Sequence, residues 1–258
     1  MMVNQVFLHG FLAALGAGLV TGIGGLCIFF KKRYLKAEIN MFLNVAAGVM
    51  LAASFFSLLV PSMQEIVVNA DLARTSLNYV LSVFGGVLLV WILNLLIPHE
   101  HNAIGRHGPH FDLKKAWLFI IAITLHKLPE GLAVGVAYGA ESIVNPTSLV
   151  IGIAVHNIPE GLTIAISLVA AGNSRLKAAM TALAIGLVQP LGAIMGLFLM
   201  GLSFNVVPYG MAFAGGTLLF VVINEILPET YGNQSTNKSA AAVFVGFIVM
   251  TYLSIIFH

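Results

Sequence analysis

The sequence predicts an all-α polytopic membrane protein. Eight transmembrane helices are arranged three plus two plus three, with inverted repeats. Three observations predict this. Hydrophobic residues make up 59% of the 258-residue chain and charged residues only 9%, with a mean hydropathy of +0.98; soluble domains carry about 25% charged residues. Apolar runs near the ~20 residues that a bilayer core requires recur eight times. Ten of the twelve Lys and Arg fall in the odd-numbered connections between these runs and one in the even-numbered ones. The twelfth, Lys127, lies inside a run.

Span 1, at about 6–30, is too long for a signal-peptide core and lacks a basic leader, so it reads as a true span. The first connection, Lys31-Lys32-Arg33-Tyr34-Leu35-Lys36, holds four basic residues. Span 2 covers 40–61 and carries Met50. The second connection holds only Arg74, and span 3 follows at 77–97. The third connection carries His99, His101, His107 and His110 with Arg106, Lys114 and Lys115. It reads as a loose metal-binding loop, with an ordinary polar loop as the alternative. Spans 4 and 5, at 116–139 and 147–171, are joined by a connection without basic residues. The fifth connection holds Arg175 and Lys177, at the very start of span 6, which covers about 176–200 and holds Gln189. Span 7, at 206–228, carries Asn224 and Glu225 near its end, where they line an exit path or are merely interfacial. Lys238 precedes span 8 at 240–257. By the positive-inside rule the odd connections are cytoplasmic. The chain is therefore expected to be a single multi-pass domain, 1–258, of the inner (plasma) membrane, with both termini extracytoplasmic. Its surroundings are the lipid bilayer, and no nucleic-acid partner is expected. The single cysteine, Cys27, excludes an intrachain disulfide.

The central spans carry one pattern twice. His126-Lys127-Leu128-Pro129-Glu130-Gly131 and His156-Asn157-Ile158-Pro159-Glu160-Gly161 lie thirty residues apart. In each, His and Glu stand at i and i+4, on one helix face. Each Pro removes the donor for the carbonyl four residues back, that of Leu125 or Val155. Imidazole, carboxylate and a freed carbonyl thus cluster at one level of each helix. Two such helices face to face supply the nitrogens and oxygens that suit a first-row divalent cation. A core histidine or a simple kink explains one copy; two copies of ionisable residues inside a membrane point to a site.

A second repeat is longer. Ala14-Leu15, Gly18-Leu19-Val20 and Gly24 match Ala182-Leu183, Gly186-Leu187-Val188 and Gly192 at an offset of 168. Gly48 with Pro61 matches Gly215 with Pro228 at an offset of 167. Spans 1–3 and 6–8 are therefore related copies. They lie five spans apart, so they run in opposite directions, with the doubled motif between them. Inverted repeats around a polar mid-membrane site are a transporter signature. Counting at 1.5 Å per residue places His126 and His156 about 15 Å deep, at the centre of a ~30 Å core. Met50 and Gln189 reach the same level. Each is open to two readings: Met50 as ligand or core filler, Gln189 as ligand or interhelical hydrogen-bond partner.

The doubled motif on adjacent central spans, the eight spans, the outside termini and the His-bearing third connection resemble the zinc/iron permease (ZIP) family. The run Gly-Val-Met-Leu-Ala-Ala-Ser-Phe-Phe-Ser-Leu at 48–58 is similar to its GufA-like prokaryotic branch. The resemblance implies import of a divalent metal, usually zinc, into the cytoplasm. It implies a transport site from His126, Glu130, His156, Asn157 and Glu160, with Met50 nearby. It also implies a possible homodimer, and movement of spans 1, 4, 5 and 6 against 2, 3, 7 and 8. Two positions depart from the family pattern: Lys127 stands where the first motif usually has Asn, and Gln189 where span 6 often has Glu. Both belong to the family's second metal position, which Lys127 is expected to fill as a substitute cation.

The main expectation is a carrier of Zn2+, with Fe2+, Mn2+, Co2+ and Cd2+ suited by the same ligand types, and with no cofactor beyond the transported ion. The rivals are an intramembrane zinc-dependent hydrolase and a non-transporting metal sensor. Against the hydrolase, the chain lacks His-Glu-x-x-His, and both Glu residues are used as ligands, leaving no general base.

Overall fold

The computed structural model describes residues 2–31, 34–69, 72–97, 99–101, 105–107, 115–140, 143–201, 206–228 and 236–257. Among them, eight helices are long and apolar enough to cross a membrane. They are Gln5–Phe29, Ala37–Val67, Arg74–Leu96, Ile120–Gly139, Thr147–Ala170, Arg175–Met200, Val207–Ile226 and Asn237–Ile256, spans 1 to 8. Helices satisfy their own backbone groups, which lipid cannot do. The all-α, eight-span architecture expected from the sequence is thus present.

Three details differ from the sequence reading. The third connection is not a plain loop: His99–His101 pairs antiparallel with Gly105–His107, setting His99 opposite His107. Pairing satisfies the backbone groups of both segments. His110 lies outside the described residues. Span 2 does not stop at Pro61 but runs on to Val67. Its Ser54–Leu59 segment is π-helical, with the Val60 N–H donating to the Phe55 carbonyl five residues back. The widened turn relieves the clash a proline ring makes one turn upstream. Span 6 is broken: helices Arg175–Gly186 and Gln189–Met200 are separated by Leu187 and Val188. Pro190 falls in the first turn of the second helix, where a missing N–H is no loss. Gln189 therefore opens a half-helix at mid-span.

The inverted repeat is written in backbone contacts. A Cβ on Gly24 would fall on the Ile158 carbonyl, and one on Gly161 on the Thr21 carbonyl, so spans 1 and 5 touch backbone to backbone. Gly192 on the Leu128 carbonyl and Gly131 on that of Gln189 join spans 6 and 4 in the same way. The second set is the first one displaced, by 168 from Gly24 to Gly192 and by 30 from Gly131 to Gly161. Gly48 against Val243 and Gly246 against Val45 join spans 2 and 8; Gly216 against Val83 and Gly86 against Phe213 join spans 7 and 3. Gly18 and Gly186 each meet the other's carbonyl, on the pseudo-two-fold itself. The mate of Gly48 is therefore Gly216, one residue from the sequence alignment. The cause is the π segments: six residues, Ser54–Leu59, in span 2 and five, Val222–Ile226, in span 7. The offset is 168 before them and 167 after, where Pro61 meets Pro228.

These contacts tie spans 1, 4, 5 and 6 into one glycine-packed unit and pair span 2 with 8 and span 3 with 7; Gly215 against the side chains of Leu58 and Leu59 joins the two pairs into a second unit. Across the seam between the units, Gly152 faces Met250 and Val49, and Gly210 faces Met200. Met50, Leu149, Ile153 and Leu218 fill the same apolar core.

Candidate metal site

Pro129 and Pro159 lie inside unbroken helices, so each motif keeps its helical face. Glu130, His156 and Glu160 are buried, and one ligand atom from each lies within 4.8 Å of the others. His156 Nε2 is 3.5 Å from Glu130 Oε1 and 4.0 Å from Glu160 Oε2. Two donors at tetrahedral positions about 2.05 Å from a zinc ion are about 3.4 Å apart. The first pair is thus already spaced for one ion. Glu130 Oε1 has no hydrogen-bond partner and is fully buried, an arrangement that is expensive unless something fills it.

The other oxygen of Glu130 is taken. Lys127, fully buried, donates from Nζ to Glu130 Oε2 at 2.7 Å, to Asn157 Oδ1 at 2.5 Å and to Glu160 Oε2. Asn157 in turn donates from Nδ2 to the Ala17 carbonyl at 2.7 Å and to Gln189 Oε1 at 3.0 Å. Lys127 and Asn157 are repeat mates bonded to each other, so the ammonium sits on the pseudo-two-fold. Gln189 and its mate Thr21 are both fully buried. Every one of these residues belongs to spans 1, 4, 5 and 6.

His126 is placed elsewhere. Its Nε2 lies against Glu225 Oε2, and Asn94 donates from Nδ2 to Glu225 Oε1 at 2.5 Å. Glu225 is buried in the π segment of span 7, while Asn224 beside it is exposed. This cluster joins span 4 of one unit to spans 3 and 7 of the other. Asn94 is a polar residue the sequence reading did not single out. Met50 is buried in the apolar core, where its carbonyl accepts from Ser54 Oγ at 2.8 Å.

At the opposite end of the bundle a cavity of about 220 Å³ is lined by Ser57, Gln64, Asn145, Ser148 and Ser254, among others. Ser57 and Ser254 are the repeat mates of Glu225 and Asn94, at offsets of 168 and 160. Where one end carries a carboxylate and an amide closed on a histidine, the other carries Ser57, whose hydroxyl meets Ser148 Oγ of span 5 at 3.2 Å, and Ser254, both at the wall of the cavity. Ser148, Gly152 and His156 follow at i, i+4 and i+8, one face of span 5 leading from the cavity to the buried group.

The profile of the family described as ZIP Zinc transporter matches residues 99–254. The chain belongs to the ZIP family. This ZIP protein is 35% identical to the "Zinc transporter GufA" of Myxococcus xanthus over 95% of its length and 97% of that protein. It is 36% identical to the "Zinc transporter ZupT" of Streptococcus mutans over 99% of its length and the whole of that protein. It is 34% identical to the "Zinc transporter ZIPB" of Bordetella bronchiseptica over 90% of its length and 76% of that protein.

Proposed function

We propose that this ZIP protein is a carrier, not an enzyme, that moves a divalent transition-metal cation, Zn2+ first, into the cytoplasm. The observation that carries this reading is the buried Glu130–His156 pair, 3.5 Å apart with one carboxylate oxygen unpartnered. Glu160 Oε2, 4.0 Å from His156 Nε2 and also held by Lys127, is the third donor, and three protein donors with a place for water are the pattern of an open rather than a structural zinc site. Fe2+, Mn2+, Co2+ and Cd2+ fit the same donors. The names of the relatives, all zinc transporters, support the cargo.

The carrier reading also explains the division into units. The ligands ride on one glycine-packed unit, and the His126–Glu225–Asn94 cluster holds that unit to the other at the end bearing the basic connections. Taking that end as cytoplasmic, the cavity opens outward while the inner end is latched. Metal enters past Ser148, binds, and leaves once the latch has parted. A hydrolase would need a free general base, yet Lys127 holds both glutamates.

The test is uptake of radioactive zinc by proteoliposomes holding only this protein. Saturable accumulation lost in Glu130→Gln supports the carrier. Metal binding without accumulation would leave a sensor, and turnover of a peptide without accumulation would leave a hydrolase.

A further inference from the structure

We infer that Lys127 is a tethered counter-cation that stays in the site throughout the cycle, limits it to one divalent ion, and lets the empty carrier return. This rests on the carrier reading above. Three observations lead to it. Nζ bonds one oxygen of each glutamate and the Asn157 amide oxygen, all on the moving unit. The ligand atoms it leaves, Glu130 Oε1 and His156 Nε2, are 3.5 Å apart, while the Glu160 oxygen nearest His156, Oε2, is the one Lys127 holds. The corresponding place on the other side of the pseudo-two-fold holds no second imidazole, because His126 is turned to Glu225. Glu130 thus gives one oxygen to the ammonium and offers the other to the cargo, and Glu160 Oε2 stands between the two.

The charge balance gives this arrangement a purpose. Two carboxylates and one ammonium leave the empty site with one net negative charge, and a divalent ion turns it into one net positive charge. Without the ammonium the loaded site is neutral and the empty site carries two negative charges. The self-energy of a charge in a low-dielectric medium grows with its square. The empty site would then cost about four times as much to carry through the bilayer as it does with Lys127. Lys127 therefore spreads the burden evenly over the two half-cycles, and the return leg needs no second cation.

The test separates the two legs. Exchange of radioactive for cold zinc, with zinc on both sides, needs only the loaded carrier to move. Net uptake into empty vesicles needs the unloaded carrier to return. Lys127→Met, neutral and of similar length, is expected to lower net uptake at least about tenfold more than it lowers exchange. Equal loss of both would make Lys127 merely structural and overturn the inference; net uptake kept at the wild-type rate would overturn it too. The wild-type protein supplies a second test that no misfolded variant can confuse. Loaded with zinc alone, it is expected to hold one tightly bound ion per chain, with no zinc–zinc distance in its X-ray absorption spectrum. Two ions about 3.5–4 Å apart would overturn the inference and leave the carrier intact. Absence of both exchange and uptake in wild type would instead sink the carrier reading.

Discussion

Glu225→Gln tests whether the polar cluster between the two units is a latch. The carboxylate is 1% exposed, accepts from Asn94 at 2.5 Å and lies against His126 Nε2. The amide keeps the shape and removes the charge. Hydrogen bonds to charged groups are worth about 1.5–3 kcal/mol and neutral ones about 0.5–1.5. The loss is therefore about 1 kcal/mol at each of two contacts, ~2 kcal/mol in all. Only the His126 contact crosses from one unit to the other, since Asn94 and Glu225 lie on spans 3 and 7 of the same unit, so about 1 kcal/mol of the loss falls on the balance between latched and unlatched states. That is a shift of about fivefold toward the unlatched state. Hydrogen exchange followed by mass spectrometry reads it directly: amides of 219–228 and 90–97 should exchange faster, while those of 152–165 should not. The apparent affinity for outside zinc should weaken in step, because fewer molecules present the outward cavity. Unchanged exchange at 219–228 in a well-folded variant would refute the latch.

Gly161→Ala and its repeat mate Gly131→Ala should each lower thermal stability by about 1–3 kcal/mol, since each Cβ would land on a backbone carbonyl of the neighbouring span. Gly16→Ala, with open space around it, is the control and should be neutral or slightly stabilising in a melting assay. Metal affinity should fall as the pH is lowered from about 7.5 to about 5.5, because the imidazole and both carboxylates must be unprotonated to ligate; a flat titration calorimetry profile would count against these ligands. Replacing His99, His101, His107 and His110 together should alter the uptake rate or its regulation without abolishing transport, as measured in proteoliposomes.

The sequence carried most of the site because its chemistry is local. Two copies of His-x-x-Pro-Glu place their side chains by helical periodicity alone, and Lys127 stood out as the one basic residue inside a span. What it could not carry depends on which spans touch. Asn94 sits in an apolar helix with no motif around it, and its partner Glu225 lies 131 residues away. His126 and His156 are equivalent in sequence, yet the two units meet asymmetrically and only one imidazole faces the glutamates. The gap of one residue in the long repeat hid in the unequal π segments, which have no sequence signature. The break before Gln189 had a signal, Pro190, that the apolar run masked.

The central claim is that one divalent ion binds between Glu130, His156 and Glu160 on the moving unit. A structure of the zinc-loaded protein, with zinc located by its anomalous scattering, tests it most directly. The account predicts a single peak about 2.0–2.2 Å from Glu130 Oε1 and His156 Nε2, with Lys127 still bonded to Glu130 and Glu160. A peak between His126 and Glu225 instead, or Lys127 displaced by a second ion, would contradict it.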